Sequence, residues 1–500
     1  MSAHAGQSET HMRNRWRLIA TVLLLLGFTL RIYRLDAQAL SGDESFTIIN
    51  WTRQPLDVVF QTITLIDPQP PVTLMTVIGW VRAAGDSVFA IRMLPVLAST
   101  TALAAIYAVG RQLGNRRTAT LALGLAAINP FQIWYAQDNR SYALWIAISA
   151  VTAWLFLITT NRPNQRRRWW GAYVIAATLG LYTYYLEGFL LVAQNLYVIT
   201  RIPRERSLLR PWIASQLTIV ALIAPWYLRP AFRNSGYVPT AGPVDFPWPF
   251  GALLFGETLP PGLSQPLFTL GTHQFTLTAL TGLLLTGAAA TLLARSRWGR
   301  AAVFLPLYAI SPIVLLALLT TVTGAGLFRP RYVAGSSMAF ILMAAFLIDI
   351  LFTRWPATGI VERTTRQAAG SLTLLLVFVL GTASLWTYHF RPSKAPLWPE
   401  IVDTLNASVS PGDIIVQNFP DPAFDYYYTG GAATTLLPPQ AGTPAEETHE
   451  RLAQLVDEYD NLWLIPVPSE VYDRDQVVVR WLLENTQLLS EQWVGAAHIM

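Results

Sequence analysis

Four short stretches of this 500-residue chain bring ionisable side chains together between long apolar runs. The first, Ser41-Gly42-Asp43-Glu44, sets two adjacent carboxylates just beyond the first apolar run. A carboxylate there is suited to take the proton from an incoming hydroxyl. The plainer alternative is a solvated turn in which Asp43 caps a helix running to Asn50. The second, Gln137-Asp138-Asn139-Arg140-Ser141-Tyr142, packs an acid and an arginine into a short turn after Asn129-Pro130. Arg140 carries a planar donor fork that matches a phosphate, and Asp138 and Arg140 would otherwise form a structural pair. The third, Phe328-Arg329-Pro330-Arg331-Tyr332, offers two arginines as a clamp for a lipid phosphate, or as simple headgroup contacts. The fourth is Glu187, which follows Tyr182, Tyr184 and Tyr185 and is either a substrate contact or the mark of a short, wet turn. The tyrosines themselves read as interfacial belt residues.

Other chemistries find no support. The chain has no cysteine, which excludes disulfides, thiolate metal sites and cysteine nucleophiles. The six histidines, at 4, 11, 273, 389, 449 and 498, have no ligand spacing, so no metal cage and no cofactor is expected. No glycine-rich loop opens a helix after a strand, which argues against a nucleotide donor.

The elements that must position these residues are membrane spans. Hydrophobic residues make up 53% of the chain and charged residues only 13%, against roughly 25% charged in soluble domains. Through residues 1 to 390 the apolar runs are about 18 to 25 long, the length that crosses a bilayer. Arginines gather in short loops, at Arg13–Arg17, Arg111–Arg117, Arg162–Arg168, Arg201–Arg210, Arg295–Arg300 and Arg354–Arg366. That pattern sets membrane orientation and removes nucleic acid as a partner. With all six clusters in the cytoplasm, the path has a cytoplasmic tail (1–17) and about eleven spans. They fall near 18–35, 88–110, 118–135, 142–160, 170–185, 187–200, 211–228, 275–294, 301–322, 332–352 and 368–388. The first reads as a retained span, because no small-residue cleavage site follows it. Residues 71–84 are too short to span and read as an interfacial or re-entrant helix on the outer face. Two long external loops result, 36–87 and 229–271. All four chemical stretches then face outward from a multi-pass protein of the plasma membrane.

Beyond Tyr388 the character changes: residues 391–500 hold 16 acidic and 5 basic residues. They read as a small extracytoplasmic α/β domain, with strands at 413–417 and 462–467 and amphipathic helices at 446–459 and 475–484.

Carboxylates and arginines together at an outer membrane surface suit transfer of a sugar from a polyprenyl-phosphate carrier. The arginines would stabilise the departing phosphate while a carboxylate activates the acceptor hydroxyl. The chain also resembles a known family. Arg31-Ile32-Tyr33-Arg34-Leu35 precedes Gly42-Asp43-Glu44-Ser45-Phe46, and Asp67-Pro68-Gln69-Pro70-Pro71 follows. Next come Phe89–Pro95, Tyr135–Leu144 and Tyr182-Thr183-Tyr184-Tyr185. In that order and spacing they resemble the dolichyl-phosphate-mannose–protein mannosyltransferase superfamily of GT-C glycosyltransferases. The nearest branch is the bacterial one that includes aminoarabinose and galacturonic acid transferases acting on lipid A. The resemblance covers residues 15 to 230 by motif and the remainder by topology. It implies an inverting, metal-independent transfer on the outer face, with Asp43 as base, Glu44 as supporting acid and Asp138, Arg140, Tyr142 and Gln69 among the substrate contacts. Two departures stand out: Gln69 and Tyr184 occupy positions where the family carries histidine. The acceptor is left open among protein, glycolipid and polysaccharide.

Two rivals compete. A transporter or flippase would carry its charges near the midplane in repeated halves, and no repeat is evident. A non-catalytic envelope assembly protein would tolerate replacement of Asp43.

Overall fold

The computed structural model describes residues 2–161, 167–234, 242–353, 360–391, 395–467, 472–473, 475–495 and 497–500. The arginines at 162, 166 and 354 lie outside them. In chain order the elements begin with α1 (Ser2–Ile32), α2 (Gly42–Thr47), α3 (Leu56–Leu65), α4 (Pro71–Ala84) and α5 (Val88–Leu113). They continue with α6 (Arg116–Ala127), α7 (Pro130–Ala136), α8 (Ser141–Asn161), α9 (Arg167–Thr183), α10 (Glu187–Arg201) and α11 (Leu209–Tyr227). After α12 (Ala231–Asn234), α13 (Trp248–Phe255) and α14 (Pro261–Ser264) comes a hairpin of β1 (Pro266–Leu270) and β2 (His273–Thr276). Long helices resume with α15 (Leu277–Ala294), α16 (Gly299–Thr323), α17 (Ser337–Thr353) and α18 (Ile360–Phe390). The remainder holds α19 (Trp398–Ser408), β3 (Ile414–Gln417), α20 (Pro422–Tyr427), β4 (Ala433–Leu436), α21 (Ala445–Glu458), β5 (Leu462–Ile465), α22 (Val477–Asn485), β6 (Gln492–Val494) and β7 (Ala497–Ile499).

The chain divides into two units, one of residues 1–35 and 55–391, the other of residues 36–54 and 392–500. In the first, seven helical stretches among the described residues are long and apolar enough to cross a membrane. They are α5, α8, α11, α15, α16, α17 and α18, counting the short 3-10 turns that precede α11 and α17. Their outer faces are apolar and bare: Leu217, Leu284, Val322 and Leu372 are all more than 60% exposed. Apolar surface on that scale needs lipid rather than water against it. α17 is the opposite case, apolar on every side and buried on nearly every side, so it forms the axis of the bundle. This is a polytopic helical membrane protein.

Two expected elements differ. The span anticipated at 118–135 is interrupted, with α6 ending at Ala127 and α7 starting at Pro130. Proline has no N–H to continue the ladder, and Asn129 caps the new helix, its Oδ1 accepting from Gln132 N at 2.9 Å. The carbonyls orphaned at the end of α6 are taken by a buried arginine from α1. Arg31 donates to Ala126 O and Ala127 O at 3.1 Å each, to Gly27 O at 2.9 Å and to Ser99 Oγ at 2.8 Å. The stretch expected as an external loop at 229–271 contains α13, whose residues from Pro249 to Phe255 are all buried. Trp248–Phe255 is apolar enough to enter the bundle, and Gly282 of α15 admits it: a Cβ there would lie 2.2 Å from Phe250 O.

The second unit is built on a parallel sheet of order β4-β3-β5. Successive residues of β3 point to opposite faces. Ile415 packs with Trp398, Ile401, Leu405 and Phe424 on one side. Ile414 and Val416 pack with Leu452, Leu464, Val478 and Leu482 on the other. A parallel strand covered on both faces accounts for the unbroken apolar run.

Candidate active site

In the helical unit, the turns between helices bring several of the singled-out residues into one cluster. Arg331 follows Pro330, the first residue of the 3-10 turn that leads into α17. Its guanidinium lies 5.3 Å from the Tyr332 ring centre and within electrostatic reach of Tyr135 and Tyr142. Its Nε is buried and has no acceptor among the described residues. Arg329 is exposed and stacks over Trp248 at 5.5 Å. Tyr142, in the first turn of α8, is buried and feels the charges of Arg331, Arg140 and Asp138. Arg140 is half-buried; its backbone N–H donates to Asp138 O at 2.7 Å, and Asp138 itself is buried. The tyrosines touch: ring centres are 4.9 Å apart for Tyr135–Tyr142 and 5.6 Å for Tyr142–Tyr184.

Reasoning from sequence missed Glu257. It stands just after Gly256, whose φ of +79° ends α13 and turns the chain. Its Oε2 accepts from Tyr135 Oη at 3.3 Å. The carboxyl is solvent-accessible yet recessed among protein atoms. Desolvation raises its pKa above the ordinary glutamate value, while the Tyr135 hydrogen bond and the charges of Arg331 and Arg329 pull it back. One signal was present: Glu257 is the only acid between Asp245 and Asp349.

Glu187 lies elsewhere in the bundle interior. It is fully buried at the start of α10, and its Oε2 accepts from Trp145 Nε1 at 2.7 Å and from Ser149 Oγ. A Cβ on Gly180 would come within 2.8 Å of its Cγ, so the glycine makes room for it. Trp145 in turn stacks on Tyr184 at 4.5 Å, which links Glu187 to the tyrosines. Gln69 is tied locally, its Nε2 donating to both Asp67 carboxylate oxygens at 3.0 and 3.1 Å. The neighbouring Pro68 carbonyl accepts from Tyr185 Oη. Gln137, from the same motif as Arg140, is a joint rather than a free group. It donates to Arg31 O and Tyr33 O at 2.9 Å and accepts from Tyr388 Oη at 2.7 Å.

Asp43 and Glu44 belong to the other unit. Ser41, not Asp43, caps α2, and Glu44 completes the capping box: Ser41 N donates to Glu44 Oε2 at 3.1 Å and Glu44 N to Ser41 Oγ at 3.3 Å. Serine outcompetes Asp43 because a glutamate stands three residues after it. α2 then ends at Thr47, and a π-helical turn carries the chain through Ile48–Thr52. Glu44 is buried while Asp43 stays exposed on the same turn. The turn is held by the C-terminal segment: Leu40 N donates to Tyr427 Oη at 2.9 Å, and Asp421 lies against Gly42. Among the described residues no three His, Cys, Asp or Glu side chains lie together so as to hold a metal ion.

The fold resembles that of the GT-C glycosyltransferases, and the resemblance read from the sequence holds. Residues 68–228 match the family described as dolichyl-phosphate-mannose-protein mannosyltransferase. The fold is similar to that of ArnT from Cupriavidus metallidurans in the apo state, with 13% identity, 98% of each chain covered and a TM-score of 0.58. The same enzyme bound to undecaprenyl phosphate aligns over 96% of each chain, with 13% identity and a TM-score of 0.55. The apo oligosaccharyltransferase of Archaeoglobus fulgidus shares 12% identity over 90% of this chain and 69% of its own, with a TM-score of 0.54. None of the curated protein sequences compared matches this chain.

Proposed function

We propose that this chain is a glycosyltransferase that moves a sugar from a polyprenyl-phosphate carrier to an acceptor hydroxyl, on the extracytoplasmic side of the plasma membrane. The observation that carries the reading is Arg331, whose Nε is buried without an acceptor beside three tyrosines. A buried donor left unmade costs about 1–3 kcal/mol, and more when charged, so the site is built for an anion that is bound only part of the time. A polyprenyl phosphate supplies one at the depth where the bundle meets headgroups. ArnT has been seen with undecaprenyl phosphate, which fits the same assignment.

In this reading Asp43 removes the proton from the acceptor hydroxyl as its oxygen bonds to the anomeric carbon. The bond from that carbon to the phosphate oxygen breaks, and polyprenyl phosphate leaves with the electron pair and one added negative charge. A single displacement inverts the anomeric centre. Arg331, Arg329 and Arg140 meet the growing charge, and Tyr142 and Asp138 orient them. Glu44 supports the Asp43 turn, and Gln69 and Glu187 shape the donor side. No metal takes part. Eleven spans carry the helical domain, and residues 391–500 form the extracytoplasmic domain that steadies the Asp43 turn. The acceptor is a glycolipid, a polysaccharide or a protein.

The test is release of polyprenyl phosphate from radiolabelled lipid-phosphate sugars by protein reconstituted in lipid, for the wild type and Asp43→Asn. Turnover of one donor that the variant loses supports transfer and names the sugar. Turnover retained by Asp43→Asn sinks the assignment of the base. No turnover of any donor by folded wild type, with acceptors supplied, favours the non-catalytic assembly role.

A further inference from the structure

Two of the arginine clusters, 96 positions apart at Arg201 and Arg297, meet in space. The end of α10 and the turn after it supply Arg201 and Arg204, and the start of α16 with the loop before it supplies Arg297 and Arg300. These four line a cavity of about 510 Å³, together with Trp298 and Tyr197. One carboxylate answers them, Glu205, which is paired with Arg201. Arg297 lies 5.3 Å from the ring centre of Trp298. The side-chain donors of Arg204 and Arg300 are accepted by no described residue, and both side chains are exposed. Three cations around one cavity repel one another, and an anion in their midst turns that repulsion into attraction. The neighbouring helix surfaces are apolar and bare: Ile199 on α10 is 61% exposed, and Val303, which lines the cavity, is 36% exposed. A ligand seated on the arginines therefore has acyl-compatible surface beside it.

We propose that this cavity binds the phosphodiester headgroup of an anionic phospholipid, with Arg204, Arg297 and Arg300 as the donors. The planar forks suit phosphate oxygens, Trp298 borders the cavity beside Arg297, and the chains lie along α10 and α16. The site is separate from the Arg331 cluster and does not depend on the transfer reading.

The full-length protein, in nanodiscs of equimolar phosphatidylglycerol and phosphatidylcholine, is released into detergent and its retained lipids are counted by native mass spectrometry. Wild type is expected to keep phosphatidylglycerol selectively. An Arg204→Gln/Arg300→Gln variant with an unchanged melting temperature is expected to lose roughly tenfold or more of that selectivity, as removal of two charge-assisted contacts implies. Equal retention of the two lipids by wild type overturns the proposal, as does a variant that keeps the selectivity. A third arm adds inorganic phosphate at millimolar concentration. Displacement of the lipid by it would show a site for free phosphate and overturn the lipid assignment.

Discussion

Replacing Arg331 by glutamine shortens the side chain by two bonds and keeps an amide donor, but removes its charge and its planar fork. A polyprenyl-phosphate sugar is a phosphodiester with one negative charge, and the departing polyprenyl phosphate carries two. The arginine therefore gains most on the added charge, which appears in the transition state. At about 4 Å and an effective dielectric near 20, one unit charge is worth about 4 kcal/mol. A single charge-assisted hydrogen bond contributes about 1.5–3 kcal/mol. Since Arg331 is only half-buried and Arg329 lies two residues away, a loss of about 2–4 kcal/mol is the working figure. That is roughly 30- to 1,000-fold in turnover. Because the donor already carries one charge, KM rises less than kcat falls. The assay is single-turnover release of polyprenyl phosphate at saturating donor, with Arg331→Lys as the variant that keeps the charge without the fork. Release by Arg331→Gln within threefold of wild type, in protein with an unchanged melting temperature, would refute the placing of the leaving phosphate on Arg331.

Glu257→Gln tests the recessed carboxyl. A carboxyl whose pKa is raised by folding holds its proton more tightly in the native state. Its penalty is absent below the unfolded value and grows as pH rises through the folded one. Melting curves across that window are expected to show the variant gaining on wild type toward neutral pH, and parallel curves would remove Glu257 from the electrostatics of the cluster. Asn129→Ala strips the cap of α7 and leaves Leu253 O and Leu254 O without the donations they now receive at 3.1 and 3.0 Å. A loss of about 2–4 kcal/mol is expected, read as a lower melting temperature in detergent. Gly282→Ala drives a methyl against Phe250 O and is expected to cost about 1–3 kcal/mol by separating α13 from α15. Chelation by EDTA is expected to leave donor turnover unchanged, and its abolition, restored by added divalent ion, would overturn the metal-independent mechanism.

How far the sequence could be read depended on how local each cause was. Membrane character followed from apolar run length and sparse charge, because a bilayer imposes its thickness on every crossing helix. β3 and β5, at 414–417 and 462–465, fall where short apolar runs predicted strands, since burial on both faces of a parallel sheet leaves such runs. The arginines of the 328–332 stretch and the turn holding Arg140 and Tyr142 were visible as charges out of keeping with their surroundings. The partners of those residues were not visible. Arg31 and Gln137 sit in motifs that look functional, and both are spent on helix ends far away in sequence. Glu257 gave no local sign beyond its isolation among apolar neighbours, because its meaning comes from Tyr135, 122 positions earlier. Periodicity and composition report what a segment demands of its surroundings, and so determined that this chain crosses a membrane and which of its charges were out of place. Which side chains satisfy those demands is decided by close packing between helices, and only the tertiary structure shows Arg331 with an unspent donor while Gln137 has none to spare.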